Sequence, residues 1–222
     1  MINVDLMLQE ELDNLQVPLS RRPEERRALV RGHRIGVGAM TVVDGDVFDE
    51  SNLNRQALSS EQNLSQTKTA VALEKVLTIN SSILVQDHTE TMEEENAASL
   101  LEHADIAIDC LDNIHTRFVL EKAAKSAGIP MVSAAVAGYS GQITAIFPED
   151  KGLYLIYGPE ESLPADRGAE TALGNLAFTV SLMASLECAE VVKILLKKNS
   201  DLRNRLLIVD LKEHTFEQIR LV

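Results

Sequence analysis

The chain has 222 residues, 45% hydrophobic and 25% charged, which is the composition of a soluble globular protein long enough to bury a sizeable core. Its net charge of −13 repels phosphate backbones and argues against nucleic acid as the principal partner. Its two cysteines, Cys110 and Cys188, form no CxxC pair, which excludes a four-cysteine zinc site; they read as buried, reduced thiols of a cytoplasmic protein.

Acidic Asp5, Glu10 and Glu11 interrupt the N-terminus, so it does not read as a signal peptide. Residues 1–35 are polar, have helical character, and are broken by Pro18 and Pro23. A β-branched strand over 40–43 enters the Asp44-Gly45-Asp46 turn. The spacing predicts a helix over 59–79, capped by Ser60 or Ser65, with Ala70, Leu73, Val76 and Leu77 as its apolar stripe. A short strand over 83–85 and a helix over 93–103 follow. The apolar strand 106–108 runs into Asp109-Cys110-Leu111-Asp112-Asn113. Asp112 or Asn113 caps a helix to about Ala127, closed by Gly128. Strands are predicted over 129–132 and 142–147, a long loop over 148–171, one apolar helix over 172–198, and strands over 206–211 and 215–221. The longest uncharged run, 171–186, is too short to span a bilayer, so no membrane is expected. Alternation of apolar strands and helices implies an α/β protein with a doubly wound, mostly parallel sheet. The closely spaced last strands imply an antiparallel C-terminal extension.

Asp44 ends a strand, where a carboxylate can accept bonds from both ribose hydroxyls of a nucleotide; the alternative is an ordinary Asp-Gly turn. Asn52, Asn54, Arg55 and Gln56 add a density of donors that a surface loop does not need, and Arg55 offers a fork suited to phosphate. Lys68, near a helix start, opposes the helix dipole unless an anion binds there. Asp109 and Asp112 flank the carboxyl end of a strand, the edge where ligands bind in parallel sheets. A carboxylate there can hold Mg²⁺ or simply cap the next helix. Arg117 fits either an ion pair with Asp112 or a ligand contact.

Taken together, VDGDVFDESNLNRQ, Lys68, AIDCLDNIHTR and VSAAVAGYSGQITAIFP resemble the E1-like adenylyltransferases over about residues 34–222. That family contains the sulfur-carrier activators of thiamine and molybdopterin biosynthesis and the cores of ubiquitin-activating enzymes. The resemblance implies a Rossmann-like adenylation domain over 36–222 after an N-terminal helical segment, 1–35. It implies that Asp44 binds the ATP ribose, that Asn54, Arg55 and Lys68 hold the triphosphate with Gln56 in support, and that Asp112 binds Mg²⁺. Asn113 and Arg117 would support that site, and Asp112, Arg55 and Lys68 would be catalytic. The implied reaction is adenylation of the C-terminal glycine of a small ubiquitin-like carrier ending in Gly-Gly, by a homodimer. The loop 148–171 would cross over the carrier's tail. An arginine from the partner's N-terminus would complete the ATP site, and Arg21, Arg22, Arg26 and Arg27 are available.

Three departures stand out. No cysteine lies in 148–171, so the reaction is expected to stop at the adenylate. The zinc ligands of many bacterial members are missing, so no zinc is expected. The family's G-x-G-G-x-G turn is also missing: Ala28–Gly32 fits the preceding strand, Arg34–Gly38 fits the end of the following helix, and about fifteen to twenty residues of a βα unit are lacking between them. Gly36-Val37-Gly38 precedes a strand, whereas a phosphate loop precedes a helix. Removing a helix from a central sheet exposes on the order of several hundred Å² of apolar surface, which is many kcal/mol at about 25 cal/mol per Å². That weighs against a true deletion. Two other readings compete. A non-catalytic subunit serving as dimer partner or carrier-binding scaffold is favoured by the missing turn and disfavoured by the retained charged set. A nicotinamide-dependent dehydrogenase would not need SNLNRQ.

Overall fold

The computed structural model describes residues 37–162 and 173–222. The expected helical segment 1–35, Gly32, Gly36, the four N-terminal arginines and the end of the 148–171 loop lie outside the described residues. The chain divides after Thr91 into two compact units, each described by itself.

In the first unit, β1 (Ala39–Val43) and β2 (Leu84–His88) pair in parallel through α1 (Lys68–Ile79). Met40, Val42 and Val43 of β1 are buried, as a β-branched run between two covered faces requires. α1 starts nine residues later than the spacing predicted, and neither Ser60 nor Ser65 caps it. Residues 59–67 form turns in which Asn63 accepts from the Ser60 amide, and Ser65 has a φ of 67°. The buried stripe is Thr69, Val71, Ala72 and Val76, so only Val76 of the expected stripe faces the core. The expected stripe put Leu77 inside, but Leu77 is exposed, and Thr69 takes an interior place by hydrogen bonding to Thr89 (2.7 Å). The expected strand at 83–85 is found as β2, shifted toward the polar residues Gln86 to His88.

In the second unit, α2 (Glu94–Leu100) precedes β3 (Ala107–Asp109), and α3 (Ile114–Ala127) connects β3 to its parallel neighbour β4 (Met131–Ala137). β5 (Ser140–Ile146), β6 (Arg205–Asp210) and β7 (Thr215–Arg220) continue the sheet antiparallel, in the order β3-β4-β5-β6-β7. This is the α/β class with the antiparallel C-terminal extension that the sequence implied. The long apolar helix is α5 (Ala177–Leu195), packed on β4 and β5; it is shorter than expected because Gly174 turns the chain before it. Leu120, Met131, Val132, Ile143, Met183 and Val209 form the centre of the core. Cys188 is buried, but Cys110 is half-exposed, contrary to the expectation for it. Among the described residues no helix is long and apolar enough to cross a membrane.

The first half of the expected 148–171 loop is ordered structure. A short helix α4 (Tyr154–Tyr157) and a 3-10 turn (Glu160–Ser162) lie against α3. Leu153 is fully buried and its amide donates to buried Glu121, Tyr157 stacks edge-on to Phe118, and Glu160 pairs with Lys122 (2.8 Å) and His115 (3.2 Å). The apolar run Leu153–Tyr157 is the reason: a solvated loop would leave it in water.

Gly152 makes this docking possible. Its φ is +67°, and a Cβ there would overlap Glu121 Oε1, which is buried beside Ile146. Gly128, the C-cap of α3, has a similar φ of +71° with nothing within 4 Å. Gly128→Ala is therefore expected to cost about 1 kcal/mol of backbone strain, and Gly152→Ala about 2–4 kcal/mol because overlap is added. Urea unfolding of the two variants side by side measures this, and equal losses would rule out the overlap.

Candidate nucleotide and carboxylate site

The segment 49–56 folds first around its own capping. Asp49 accepts from the Ser51 amide (2.8 Å), and the Asn52 side chain accepts from the Asp49 amide (3.1 Å), closing a capping box on a 3-10 turn (Glu50–Asn52). Asn52 is buried by this, so it is a structural residue. Arg55 is half-exposed, with Nη1 donating to Ser51 O (2.6 Å) and Asn54 Oδ1 (2.9 Å). Asn54 thus orients the guanidinium, and Gln56 is half-exposed.

Asp44 follows β1 and accepts from the Asp46 amide (2.9 Å). Burial pushes its carboxyl above the ordinary value, opposed by that amide and by Lys68. Lys68 occupies the first position of α1, where its Nζ lies 2.9 Å from Asp46 Oδ2 and 3.7 Å from Asp44 Oδ2. The two carboxylates offset the helix dipole that the sequence left unbalanced. Asp46 was missed as a partner; its spacing from Asp44, on the far side of a Gly turn, was the available signal.

In the second unit, Asn113 rather than Asp112 caps α3, accepting from the Thr116 amide (3.2 Å), and Gly128 closes the helix. Asp112 is exposed. Asp109 is fully buried and Arg117 nearly so, at 8% side-chain exposure. They pair with each other at 2.6 Å, in place of the expected Arg117–Asp112 pair. Burial is the largest influence and opposes the Arg117 charge, but Asp109 together with the weaker pull of Tyr157, Glu187 and Cys110 outweighs it, and the guanidinium stays above its ordinary value. Arg117 also donates to Ala134 O and Leu111 O. Among the described residues no group of three or more metal-ligating side chains occurs. Mg²⁺ in phosphate-transfer sites usually takes one or two carboxylates plus substrate phosphates, so an exposed single carboxylate at Asp112 fits that donor set.

Glu187 of α5 is buried, and its Oε1 has no hydrogen-bond partner among the described residues. Burial first, then the nearby Asp109 charge, pushes its carboxyl well above the ordinary 4.5, with Arg117 opposing. The folded chain therefore holds this proton where the unfolded chain has lost it, and stability falls as pH rises from 4.5 toward the raised folded value. Glu187→Gln should melt higher than the parent at about pH 8, with the gain shrinking at about pH 4. Thermal melts at both pH values check this, and a pH-independent difference would contradict it.

The family model described as the ThiF family matches residues 30–222, across both units. The SAMP-activating enzyme E1 of Haloferax volcanii is 29% identical over 187 residues, covering 83% of this chain and 68% of that protein. The probable adenylyltransferase/sulfurtransferase MoeZ of Mycobacterium tuberculosis is 32% identical, covering 83% of this chain and 48% of that protein. The adenylyltransferase and sulfurtransferase MOCS3 of Danio rerio is 31% identical, covering 84% and 40%. This chain thus spans less than half the length of the last two. Among solved structures, PaaA aligns with a TM-score of 0.69 at 17% identity, covering 88% of this chain and 60% of that one. The Escherichia coli MccB structure described as containing ATP aligns at 0.63 and 21% identity, covering 84% and 57%. These structural likenesses speak to the fold. With the match running over most of its length, the chain belongs to the ThiF family.

Proposed function

We propose that this chain adenylates the C-terminal glycine of a small ubiquitin-like sulfur-carrier protein, using ATP. The observation that carries the reading is Lys68, a cation at a helix start beside the carboxylate that follows β1. A ribose-binding carboxylate next to a phosphate-binding ammonium is what a nucleotide at strand ends requires. The names of the Haloferax, Mycobacterium and Danio relatives support the same class of activity.

In this reading Asp44 accepts from the ribose hydroxyls, and Asn54, Arg55, Gln56 and Lys68 hold the phosphates. A glycine carboxylate oxygen forms a bond to the α-phosphorus, the bond from that phosphorus to the pyrophosphate oxygen breaks, and pyrophosphate leaves with the electron pair. No base is needed, because the carboxylate is already ionised at neutral pH. Arg55 and Lys68 neutralise charge and keep attacking and leaving oxygens in line. Asp112, supported by Asn113, would hold Mg²⁺, which supplies positive charge to the phosphates. A homodimer working in the cytoplasm is part of the proposal.

The test is ATP–pyrophosphate exchange with Mg²⁺ and a Gly-Gly-ended carrier. Exchange is expected with the full carrier and not with one lacking its last two residues. A folded chain giving no exchange would sink the reading. It would favour the non-catalytic subunit, which the missing G-x-G-G-x-G turn supports.

A further inference from the structure

The hydrogen bonds of the buried Asp109–Arg117 pair end on a loop. Asp109 Oδ1 accepts the Leu111 amide (3.0 Å), and its Oδ2 accepts from Arg117 and from the Ser133 hydroxyl (2.5 Å). Arg117 Nη2 donates to the Leu111 carbonyl, and Nη1 reaches Ala134 O on β4. Both polar groups of one backbone residue are therefore held by the two members of one ion pair. Leu111 immediately precedes Asp112, and Asn113 on the other side is fixed as the cap of α3. The loop is pinned on both sides of the exposed carboxylate.

Burying two charges costs solvation that apolar side chains of the same volume would not lose. Apolar side chains could fill the space between β3, β4 and α3, but they could not aim bonds at a peptide group. The planar guanidinium, with donors on two nitrogens, reaches a carboxylate, a strand carbonyl and a loop carbonyl at once.

We propose that the Asp109–Arg117 pair is a positioning device for Asp112, fixing the loop from inside through Leu111. It rests on the adenylation reading. Arg117 is then a positioning residue that contacts no ligand, and its loss moves the Asp112 carboxylate without removing it. Displacement of a catalytic group by about 1 Å can cost about 100-fold in rate.

The experiment uses Arg117→Lys in the full chain, which keeps the charge and loses the fork. Two readouts are followed: amide hydrogen exchange at Leu111 without metal or nucleotide, and pyrophosphate exchange as a function of Mg²⁺. The Leu111 amide is expected to exchange at least about tenfold faster. Turnover should fall about 10–100-fold, with the KM for carrier within about twofold and the half-saturating Mg²⁺ concentration raised. A purely structural role would lower the melting temperature and leave the Mg²⁺ dependence alone. If Arg117→Lys does not fold, Ser133→Ala removes a single donor to Asp109 and is read the same way. Unchanged Leu111 protection overturns the clamp. Faster Leu111 exchange with unchanged turnover and Mg²⁺ dependence overturns the positioning role while leaving the adenylation reading intact. No pyrophosphate exchange in the parent chain overturns the adenylation reading, and the positioning role with it.

Discussion

Asp112→Ala is expected to lower ATP–pyrophosphate exchange by at least about 100–1,000-fold while leaving the melting temperature within a few degrees of the parent. Both halves follow from the position. Asp112 is exposed, and the cap of α3 is supplied by Asn113, so alanine at 112 removes no cap and opens no cavity. Asn113→Ala is the contrast: it should cost about 1 kcal/mol of stability through the lost bond to the Thr116 amide. The catalytic loss at 112 comes from charge. A transferring phosphoryl group concentrates negative charge that needs a held cation, and Asp112 is the exposed carboxylate at the end of a parallel-paired strand. Steady-state exchange beside a thermal melt separates the two effects. Full activity in the alanine variant would remove Asp112 from the site.

Much of the second unit was legible because its signals were local. Asn113 and Gly128 bracket α3 as cap and left-handed terminator, and those residue types have few other uses at those places. Strands β5 to β7 lie within two residues of the expected ones, whereas β4 begins two residues later and runs five residues further than the expected 129–132. The start of α1 was not legible. Residues 59–67 contain Ser, Asn and Gln that suit a helix cap or a series of turns, and the tie between Phe48 and Ser65 and Gln66, a tertiary contact, decides for turns. The docking of α4 was hidden for the same reason: whether Leu153–Tyr157 is a loop depends on Glu121 and Phe118, thirty or more residues upstream.

At the candidate site the residue types were readable and their partners were not. Sequence offered Arg117 a choice between Asp112 and a ligand, yet Asp109 lies buried behind the loop while Asp112 faces solvent. Alternation along the strand gave no signal for Asp109, because β3 is three residues long and buried throughout. A carboxylate in such a strand needs a cation, and Arg117, in the first turn of α3, supplies it across the loop.

Lys68 carries the second large effect. Lys68→Ala is expected to reduce kcat/KM for ATP by about 100-fold, through loss of a charge that binds phosphate more tightly as negative charge develops. Without nucleotide the ammonium rests on Asp46, whose side chain is 75% exposed, and lies near Asp44. An ion pair that open to water is held weakly, so phosphate can take Lys68 from Asp46 at little cost. Asp46→Asn should therefore act in the opposite direction to Lys68→Ala and lower the KM for ATP, by about twofold to fivefold, because a competing carboxylate is gone. Lys68→Arg should not restore full activity: a guanidinium fork at the first turn of α1 places its charge differently from a compact ammonium. Initial rates over a range of ATP concentrations for the three variants test this. A KM raised in Asp46→Asn would mean that Asp46 orients Lys68 for the nucleotide instead of competing with it. An unchanged rate in Lys68→Ala would mean that the cation beside Asp44 serves only to balance two carboxylates at the start of α1.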